Sequence, residues 1–219
     1  MAKKIVKDML KGNEDYMNEV NHEIWENIKE GQKPKITMVC CSDSRVGGHI
    51  MNKDLTNHVF HIRNIGNQIS NSEGSIDYGV LHCRTPVLLV LGHTDCGAIK
   101  ASLADFTNET AGIIRELASL SVITHSKIKE FGDNKNEYKA KYTELNVDEQ
   151  VKDAMRLYKG KDTTIVGAVY DIHNVYGAGN GAIIVINING VRDAVKLKEH
   201  EVLSELEDEF KEVRVKRLT

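Results

Sequence analysis

The chain has 219 residues and a formal net charge of −3, with 41% hydrophobic and 28% charged residues. This balance excludes the broad basic surface that nucleic-acid binding requires. The longest apolar runs, "PVLLVLG" and "AIIVINI", are too short for a membrane span, and the first residues lack the apolar core of a signal peptide. We therefore expect a single domain over residues 1–219 in the cytoplasm, where its four cysteines stay reduced.

The first half of the chain predicts a helical arm followed by three short buried strands. Apolar spacing over residues 13–30 indicates a helix that "GQKP" ends, which gives an N-terminal helical arm over about residues 1–33. "SNSEGSIDYGVLHC" is typical of a helix with Ser70 or Ser72 as its N-cap, and Thr94 or Asp95 is expected to cap the next helix. The three strands are predicted at "KITMVCC", "HVFHIRN" and "PVLLVLG".

The second half predicts two more strands and two amphipathic helices. "NVDEQVKDAMRLY" and "EHEVLSELEDEFKEV" have helical apolar spacing, and we expect the tail "KEVRVKRLT" to be a solvated strand or terminus. The glycine-rich "YGAGNGA" joins the strands "TTIVGAVYDI" and "GAIIVININ", which favours a hairpin turn over a dinucleotide loop. The predicted fold class is α/β: a central, mainly parallel β-sheet of four parallel strands plus an antiparallel edge strand, flanked by helices.

Two cysteines and a histidine fall at neighbouring strand ends. Cys41 ends the first buried strand, His93 follows the third, and Cys96 comes three residues later in the first turn of a helix. Sites in open α/β sheets form outside the carboxyl ends of the strands. Two thiolates and an imidazole are zinc ligands, and three protein ligands leave a position open, as in catalytic sites. The alternative is that His93 caps the helix and both cysteines are core thiols.

Strand alternation separates the adjacent cysteines. Cys40 shares a face with Met38, so we expect a packed thiol, whereas Cys41 points the other way or towards the strand end. Cys83 is predicted to be a helix residue that faces the core. His82 and His173 are among several histidines without a visible partner in the sequence.

An aspartate and an arginine follow the strand end at two-residue steps. Asp43 is close enough to Cys41 to reach the same ion, and Arg45 could hold Asp43 through a bidentate salt bridge. An aspartate paired in this way stays ionised. It could accept a hydrogen bond from an attacking hydroxide, or occupy the open position as a fourth ligand in a closed state. The alternative is a turn-stabilising surface pair.

An ordered series of motifs over about residues 30–190 resembles the β-class carbonic anhydrases, in their plant-like branch. "CSDSRV" is similar to the family's Cys-x-Asp-Ser-Arg element, and "GHTDCGAIKA" to its His-x-x-Cys element. Two residues depart mildly from that second element: Ala98 replaces a frequent second glycine, and Asp95 stands where small residues are common. The other similar segments are "HIRNIGN", "GSIDYGVLH", "NVDEQV" and "IVGAVYDI".

The resemblance implies a role for each matching residue. Cys41, His93 and Cys96 are the implied ligands of one Zn²⁺ per chain, and Asp43 and Arg45 the catalytic dyad. The implied substrate-binding residues are Gln32, contributed by the neighbouring subunit, Phe60 and Tyr78. The implied enzyme is a carbonic anhydrase that reversibly hydrates carbon dioxide to bicarbonate and a proton by zinc-hydroxide attack. The implied partner is a second copy, in a homodimer or in a tetramer or larger assembly.

Two alternative functions remain open at this point. The same scaffold resembles hydrolases of carbon disulfide or carbonyl sulfide, which differ mainly in substrate access. A zinc site closed by Asp43 would instead make the chain a non-enzymatic binding module with structural zinc. Neither alternative involves nucleic acid or a membrane.

Overall fold

The computed structural model describes residues 1–20, 23–51, 56–131 and 136–219. The chain divides into two compact units, Met1–Lys33 and Pro34–Thr219. The boundary falls at the end of the predicted arm, and the single domain over residues 1–219 remains a prediction.

The first unit contains helices α1 (Ala2–Glu19) and α2 (Glu23–Ile28). The helix predicted over residues 13–30 therefore falls on two helices, with residues 21–22 outside the described range. Tyr16 and Trp25 meet edge to face, with ring centroids 6.2 Å apart. Helix α1 buries none of its residues and exposes the apolar side chains of Ile5, Val6, Met9, Leu10 and Met17.

The second unit is built on a five-stranded sheet in the order β2-β1-β3-β4-β5. Strands β1 to β4 are mutually parallel and β5 is antiparallel to β4, so the predicted architecture is confirmed. The turn before β5 places Gly177, Gly179 and Gly181 at positive φ, a conformation that glycine adopts without steric cost. The strands are β1 (Ile36–Cys41), β2 (Val59–Asn64), β3 (Val87–His93), β4 (Thr164–Asp171) and β5 (Ala182–Ile188).

Helices connect the strands and cover the sheet. The last predicted amphipathic segment is divided between a 3₁₀ turn at Glu201–Leu203 and a separate helix, α9. Within the described ranges, none of the helices is long and apolar enough to cross a membrane. The helices of this unit are α3 (Glu73–Asp77), which continues into a π-helical turn (Tyr78–His82), α4 (Gly97–Ser102), α5 (Ala111–His125), α6 (Ile128–Phe131), α7 (Asn136–Leu157), α8 (Ala194–Lys198) and α9 (Asp208–Arg214).

Helix α7 lies close against the carboxyl end of β3. A Cβ added at Gly92 would lie 2.7 Å from Val147 and 2.8 Å from Thr143, so only glycine fits there. The Thr143 hydroxyl donates to the His93 carbonyl over 3.3 Å. This close approach fixes the end of β3, from which the His93 side chain projects.

The C-terminal tail packs against the body of this unit, so the prediction of a solvated tail is wrong. Val215 is fully buried and bridges β5, and Arg217 Nη2 lies 2.8 Å from Asp148 Oδ2. The Leu218 amide donates to Glu144 Oε1 over 2.9 Å. Glu144 and Asp148 are buried carboxylates of α7, and they supply the polar partners that allow a charged tail to pack inside.

Candidate metal and active site

The carboxyl ends of β1 and β3 bring three donor atoms together. Strands β1 and β3 are neighbours and parallel, so Cys41 and His93 emerge at the same edge of the sheet. Cys96 follows in the loop that leads into α4. The side-chain donor atoms of Cys41, His93 and Cys96 all lie within 4.8 Å of one another, and all three residues are buried.

The His93 ring presents a bare nitrogen to this cluster. Its Nδ1 lies 3.0 Å from the carbonyl oxygen of Thr94, which can only accept, so Nδ1 carries the proton. Nε2 is then an unprotonated acceptor in the neutral ring. Among the described residues it has no hydrogen-bond partner, although the side chain is fully buried. A buried lone pair without a partner is unfavourable unless a cation or a proton meets it.

The two sulfurs form a pair that loses one proton readily. Cys41 Sγ and Cys96 Sγ are 4.0 Å apart. A hydrogen bond from Cys96 lowers the pKa of Cys41 below its ordinary value. The same hydrogen bond, together with burial, raises the pKa of Cys96. Thiolate and imidazole donors in this arrangement could hold a metal ion, and soft sulfur ligands favour zinc over magnesium or calcium.

The remaining cysteines lie outside this cluster. Cys40 is fully buried beside Met38, as predicted, and burial raises the pKa of its thiol to about 11. Cys83 ends the π-helical turn and is only half-buried, so the prediction that it faces the core from within a helix is wrong. The four cysteines are free thiols.

Asp43 and Arg45 form the predicted bidentate pair beside the cluster. Arg45 Nε and Nη2 donate to the two carboxylate oxygens of Asp43 over 2.9 and 2.8 Å. These hydrogen bonds hold the pKa of the Asp43 carboxyl well below its usual range, so the group is ionised at all ordinary pH values. Asp43 Oδ2 also lies 3.9 Å from His93 Nε2. The carboxylate therefore lies between the arginine and the donor cluster.

Asp95 was expected as a helix cap, and the structure gives it a different role. Helix α4 begins after Cys96 and has no side-chain cap. Asp95 instead accepts from Arg45 Nη1 over 3.2 Å and pairs with Lys100. His173 Nε2 lies 3.6 Å from Asp95, so this histidine has a partner that only the fold reveals.

Of the other predicted caps, Thr94 does not cap α4, whereas Ser72 occupies the N-cap position of α3 as predicted. The Thr94 hydroxyl accepts from the backbone N–H of Ile172 over 2.9 Å and leaves α4 uncapped. The Ser72 hydroxyl accepts from Asn64 Nδ2 over 3.0 Å and not from the helix backbone, and Ser70 belongs to the 3₁₀ turn before α3.

Phe60 and Tyr78 stack on each other, with ring centroids 5.8 Å apart, but away from the donor cluster. Phe60 pairs with Thr37 in the sheet, four residues before Cys41, which is ~13 Å along the strand. Tyr78 is 46% exposed. Gln32 is an exposed residue of the first unit. Within one chain, the fold therefore assembles Cys41, His93, Cys96, Asp43 and Arg45 but leaves the two aromatic residues at the opposite edge of the sheet.

Comparisons with known proteins agree with this geometry. A family model described as carbonic anhydrase matches residues 36–179. Carbonic anhydrase 2 of Mycobacterium tuberculosis is 36% identical over 93 residues, which cover 41% of this chain and 45% of that protein. The carbonic anhydrase of Candida albicans is 27% identical over 191 residues, covering 78% of this chain and 66% of that protein. These matches therefore span less than two thirds of the length of either relative.

A solved structure supports the same assignment at the level of the fold. A tetrameric β-carbonic anhydrase of Sordaria macrospora superposes with a TM-score of 0.71 at 21% identity, covering 85% of this chain and 97% of that one. The family model covers the strands that carry the cluster, from β1 to β4. The chain belongs to the carbonic anhydrase family, and its fold is that of the β class.

Proposed function

We propose that this chain is a zinc-dependent enzyme that reversibly hydrates carbon dioxide to bicarbonate and a proton. The observation that carries the proposal is the buried cluster of Cys41, His93 and Cys96, with the bare Nε2 of His93 aimed into it and an ionised carboxylate 3.9 Å away. This combination of soft donors and an adjacent acceptor suits a catalytic metal site better than a packed core. Membership of the carbonic anhydrase family supports the choice of reaction.

Cys41, His93 and Cys96 would hold one Zn²⁺ per chain. The thiolates would balance the charge of the ion, and the Nδ1 hydrogen bond to Thr94 would keep the His93 ring in the tautomer that binds metal through Nε2. When bound, zinc supplies Lewis-acid chemistry, which makes a water molecule nucleophilic near neutral pH.

Asp43 would orient the attacking water. Because Arg45 keeps its carboxylate ionised, Asp43 can only accept, so it would take a hydrogen bond from the water and direct the free lone pair at carbon dioxide. The proton released by the reaction goes to solvent or buffer. The same carboxylate oxygen is near enough to the cluster to serve as a fourth ligand in a closed state.

The substrate pocket would need a second copy of the chain. Phe60 and Tyr78 lie at the amino end of the strands, away from Cys41, and Tyr78 is 46% exposed. The aromatic residues beside the metal site would therefore have to come from a partner chain. We propose a homodimer, with the option of a tetramer, in which Gln32, Phe60 and Tyr78 of one copy complete the site of the other. Gln32 would donate to the charge that develops on the substrate oxygen.

The cytoplasm is the proposed location. Cys41 and Cys96 are free thiols 4.0 Å apart at their sulfurs, and an oxidising compartment would favour their conversion to a disulfide.

Stopped-flow hydration of carbon dioxide by the zinc-loaded protein tests the proposal. We expect a kcat/KM far above the rate in buffer and a weaker turnover of carbonyl sulfide measured in parallel. A protein that turns over carbonyl sulfide but not carbon dioxide would instead be a hydrolase on this scaffold. A zinc-loaded protein inactive towards both would count as a structural zinc module.

A further inference from the structure

Arg45 lies between two carboxylates, and each occupies a different edge of its guanidinium group. Nε and Nη2 hold Asp43, as described above, while Nη1 donates to Asp95 Oδ2 over 3.2 Å. Nη2 also approaches the Asp95 carbonyl oxygen at 3.2 Å. Any rotation of the guanidinium plane would therefore break contacts with both loops at once.

Asp95 is itself fixed by three other features. Its backbone has a φ of 60°, in the left-handed region that few residues other than glycine, asparagine and aspartate adopt. Its carboxylate pairs with Lys100 of α4, and His173 Nε2 lies 3.6 Å away on the loop after β4. Asp95 thus joins three strand-end loops, and it holds the side of Arg45 that faces away from Asp43.

We propose that Asp95 is a positioning residue, which fixes the Arg45 guanidinium in the orientation that binds Asp43. The inference rests on the proposed function, because the purpose of that orientation is to keep Asp43 available to the attacking water. Among the described residues, the Asp95 carboxylate contacts Arg45, Lys100 and His173, and its effect on Asp43 would pass through Arg45.

The exposure of Arg45 explains why a second carboxylate is needed. Its side chain is 42% exposed, and an isolated ion pair in water is weakly held, because solvent screens it and two long side chains must be ordered. Asp43 also has an alternative position close by, since its Oδ2 is only 3.9 Å from His93 Nε2. The contact between Asp95 and the far edge of Arg45, here called the tether, therefore disfavours the movement of Asp43 into the donor cluster.

The Asp95→Asn variant weakens the contact between Asp95 and Arg45 with little backbone disturbance. Asparagine tolerates positive φ, but its amide is neutral and has one acceptor oxygen in place of the two that separately contact Arg45 and Lys100. Asp95→Gly, which also tolerates positive φ, removes the side chain entirely. Asp153→Asn is the matched control, because Asp153 forms an exposed ion pair with Arg156 on α7.

Hydrogen exchange of the Arg45 Nε–H, followed by ¹⁵N NMR on the zinc-loaded protein, reports on the tether directly. We expect exchange to quicken about threefold or more in Asp95→Asn and Asp95→Gly, and to stay unchanged in Asp153→Asn. Unchanged exchange in both Asp95 variants would overturn the proposal whatever their activity. This measurement does not depend on turnover, so it decides on the contact even if the wild-type protein proves inactive towards carbon dioxide.

Kinetics then test whether the tether serves the reaction. We expect kcat/KM to fall about tenfold in Asp95→Asn and to be unaffected in Asp153→Asn. In an Arg45→Gln background the same Asp95→Asn change should have no further effect, because Asp95 acts through Arg45. Multiplicative losses in the double variant would show an independent role and overturn the positioning proposal, as would an unchanged kcat/KM in Asp95→Asn.

Discussion

His93 Nε2 and Asp43 Oδ2 face each other across 3.9 Å, and neither atom carries a hydrogen in the neutral ring and the ionised carboxylate. The separation is too long for a hydrogen bond, and two acceptors that face each other repel. Their closeness is favourable only if a cation or a donor group lies beside both. The pair therefore indicates the position where a bound metal ion and a water molecule would relieve this repulsion.

Substitution of the two adjacent cysteines, one at a time, should distinguish a role in metal binding from a role in packing. We expect Cys41→Ser to lose tightly bound zinc, because a serine hydroxyl is a poor replacement for a thiolate. Cys40→Ala is the matched control one residue away: it leaves a small void in the sheet but should retain one zinc per chain. Zinc content of purified protein, measured by elemental analysis, decides the matter. Retention of tight zinc by Cys41→Ser would remove that residue from the ligand set.

Loss of the Asp43 carboxylate should affect turnover and spare the metal. We expect Asp43→Ala to retain zinc and to lose about 10²-fold in kcat, as when one aligned hydrogen-bonding group is removed from an active site. Asp105→Ala is the control, since the Asp105 carboxylate bonds to Thr107, two residues away in an exposed loop. Stopped-flow hydration gives both values, and wild-type turnover in Asp43→Ala would exclude Asp43 from the mechanism.

Truncation of Arg217 should destabilise the fold. Its side chain is 9% exposed and holds Asp148, which is 5% exposed, through two hydrogen bonds. Arg217→Met therefore leaves this buried carboxylate with only the weaker ion pair to the exposed Arg192, 3.6 Å away, among the described residues. We expect a loss of about 2–3 kcal/mol in the free energy of unfolding, which is less than for a fully unpaired buried charge because Arg192 and Asn187 still contact Asp148. Arg156→Met removes an exposed ion pair of α7 and should cost under about 1 kcal/mol. Urea denaturation measures both, and equal effects would show that the tail contact contributes no more than a surface pair.

Tyr158 should give the fold part of its sensitivity to alkaline pH. Burial and a 2.9 Å hydrogen bond to Asp77 raise the pKa of Tyr158 above its ordinary value of 10.0. The unfolded chain therefore loses this proton first, so the stabilisation is complete below pH 10.0 and declines as the pH rises towards the folded pKa. Tyr158→Phe should lower the free energy of unfolding by about 1 kcal/mol near neutral pH. In alkali the free energy of unfolding of the variant should fall less steeply than that of the wild type, with slopes that differ by up to about 1.4 kcal/mol per pH unit. Parallel stability curves for the two proteins would contradict this assignment.

Mixed dimers should reveal whether one copy completes the site of another. Cys41→Ser and the double variant Gln32→Ala/Tyr78→Ala should each be nearly inactive alone. After joint unfolding and refolding, hybrids would contain one intact site, and random pairing should restore about a quarter of wild-type activity. A mixture of Cys41→Ser with Asp43→Ala should restore none, because both residues belong to the same half of the site. Failure of the first mixture to regain activity would place Gln32 and Tyr78 outside the partner's site.

The local sequence pattern was sufficient to predict the architecture and to assign Cys40 and Cys41 to opposite faces of β1. Strand alternation assigns adjacent residues to opposite faces, and the order of strands and helices constrains a parallel sheet to few arrangements. The contacts of Asp95 and His173 were not predictable in this way. Both lie in strand-end loops whose proximity depends on the order of strands in the sheet, so neither residue has a partner within its own stretch of sequence.

The C-terminal tail was mispredicted for a related reason. Alternating charged and apolar residues are typical of a solvated edge, and burial of Arg217 became favourable only because α7 carries buried carboxylates 69 residues earlier in the chain. Phe60 and Tyr78 show a similar limit. Their aromatic character is plain in the sequence, but their distance from Cys41 depends on the register of β1 with β2.

The distance in sequence between the two cysteine donors constrains when the cluster can form. Cys41 and Cys96 are 55 residues apart, and they meet only after β1 has paired with β3, a parallel and non-local contact that forms slowly in folding. We therefore expect the donor cluster to form late in folding. A metal bound there would stabilise the completed sheet by mass action and would not nucleate it, so added zinc should slow unfolding more than it speeds folding.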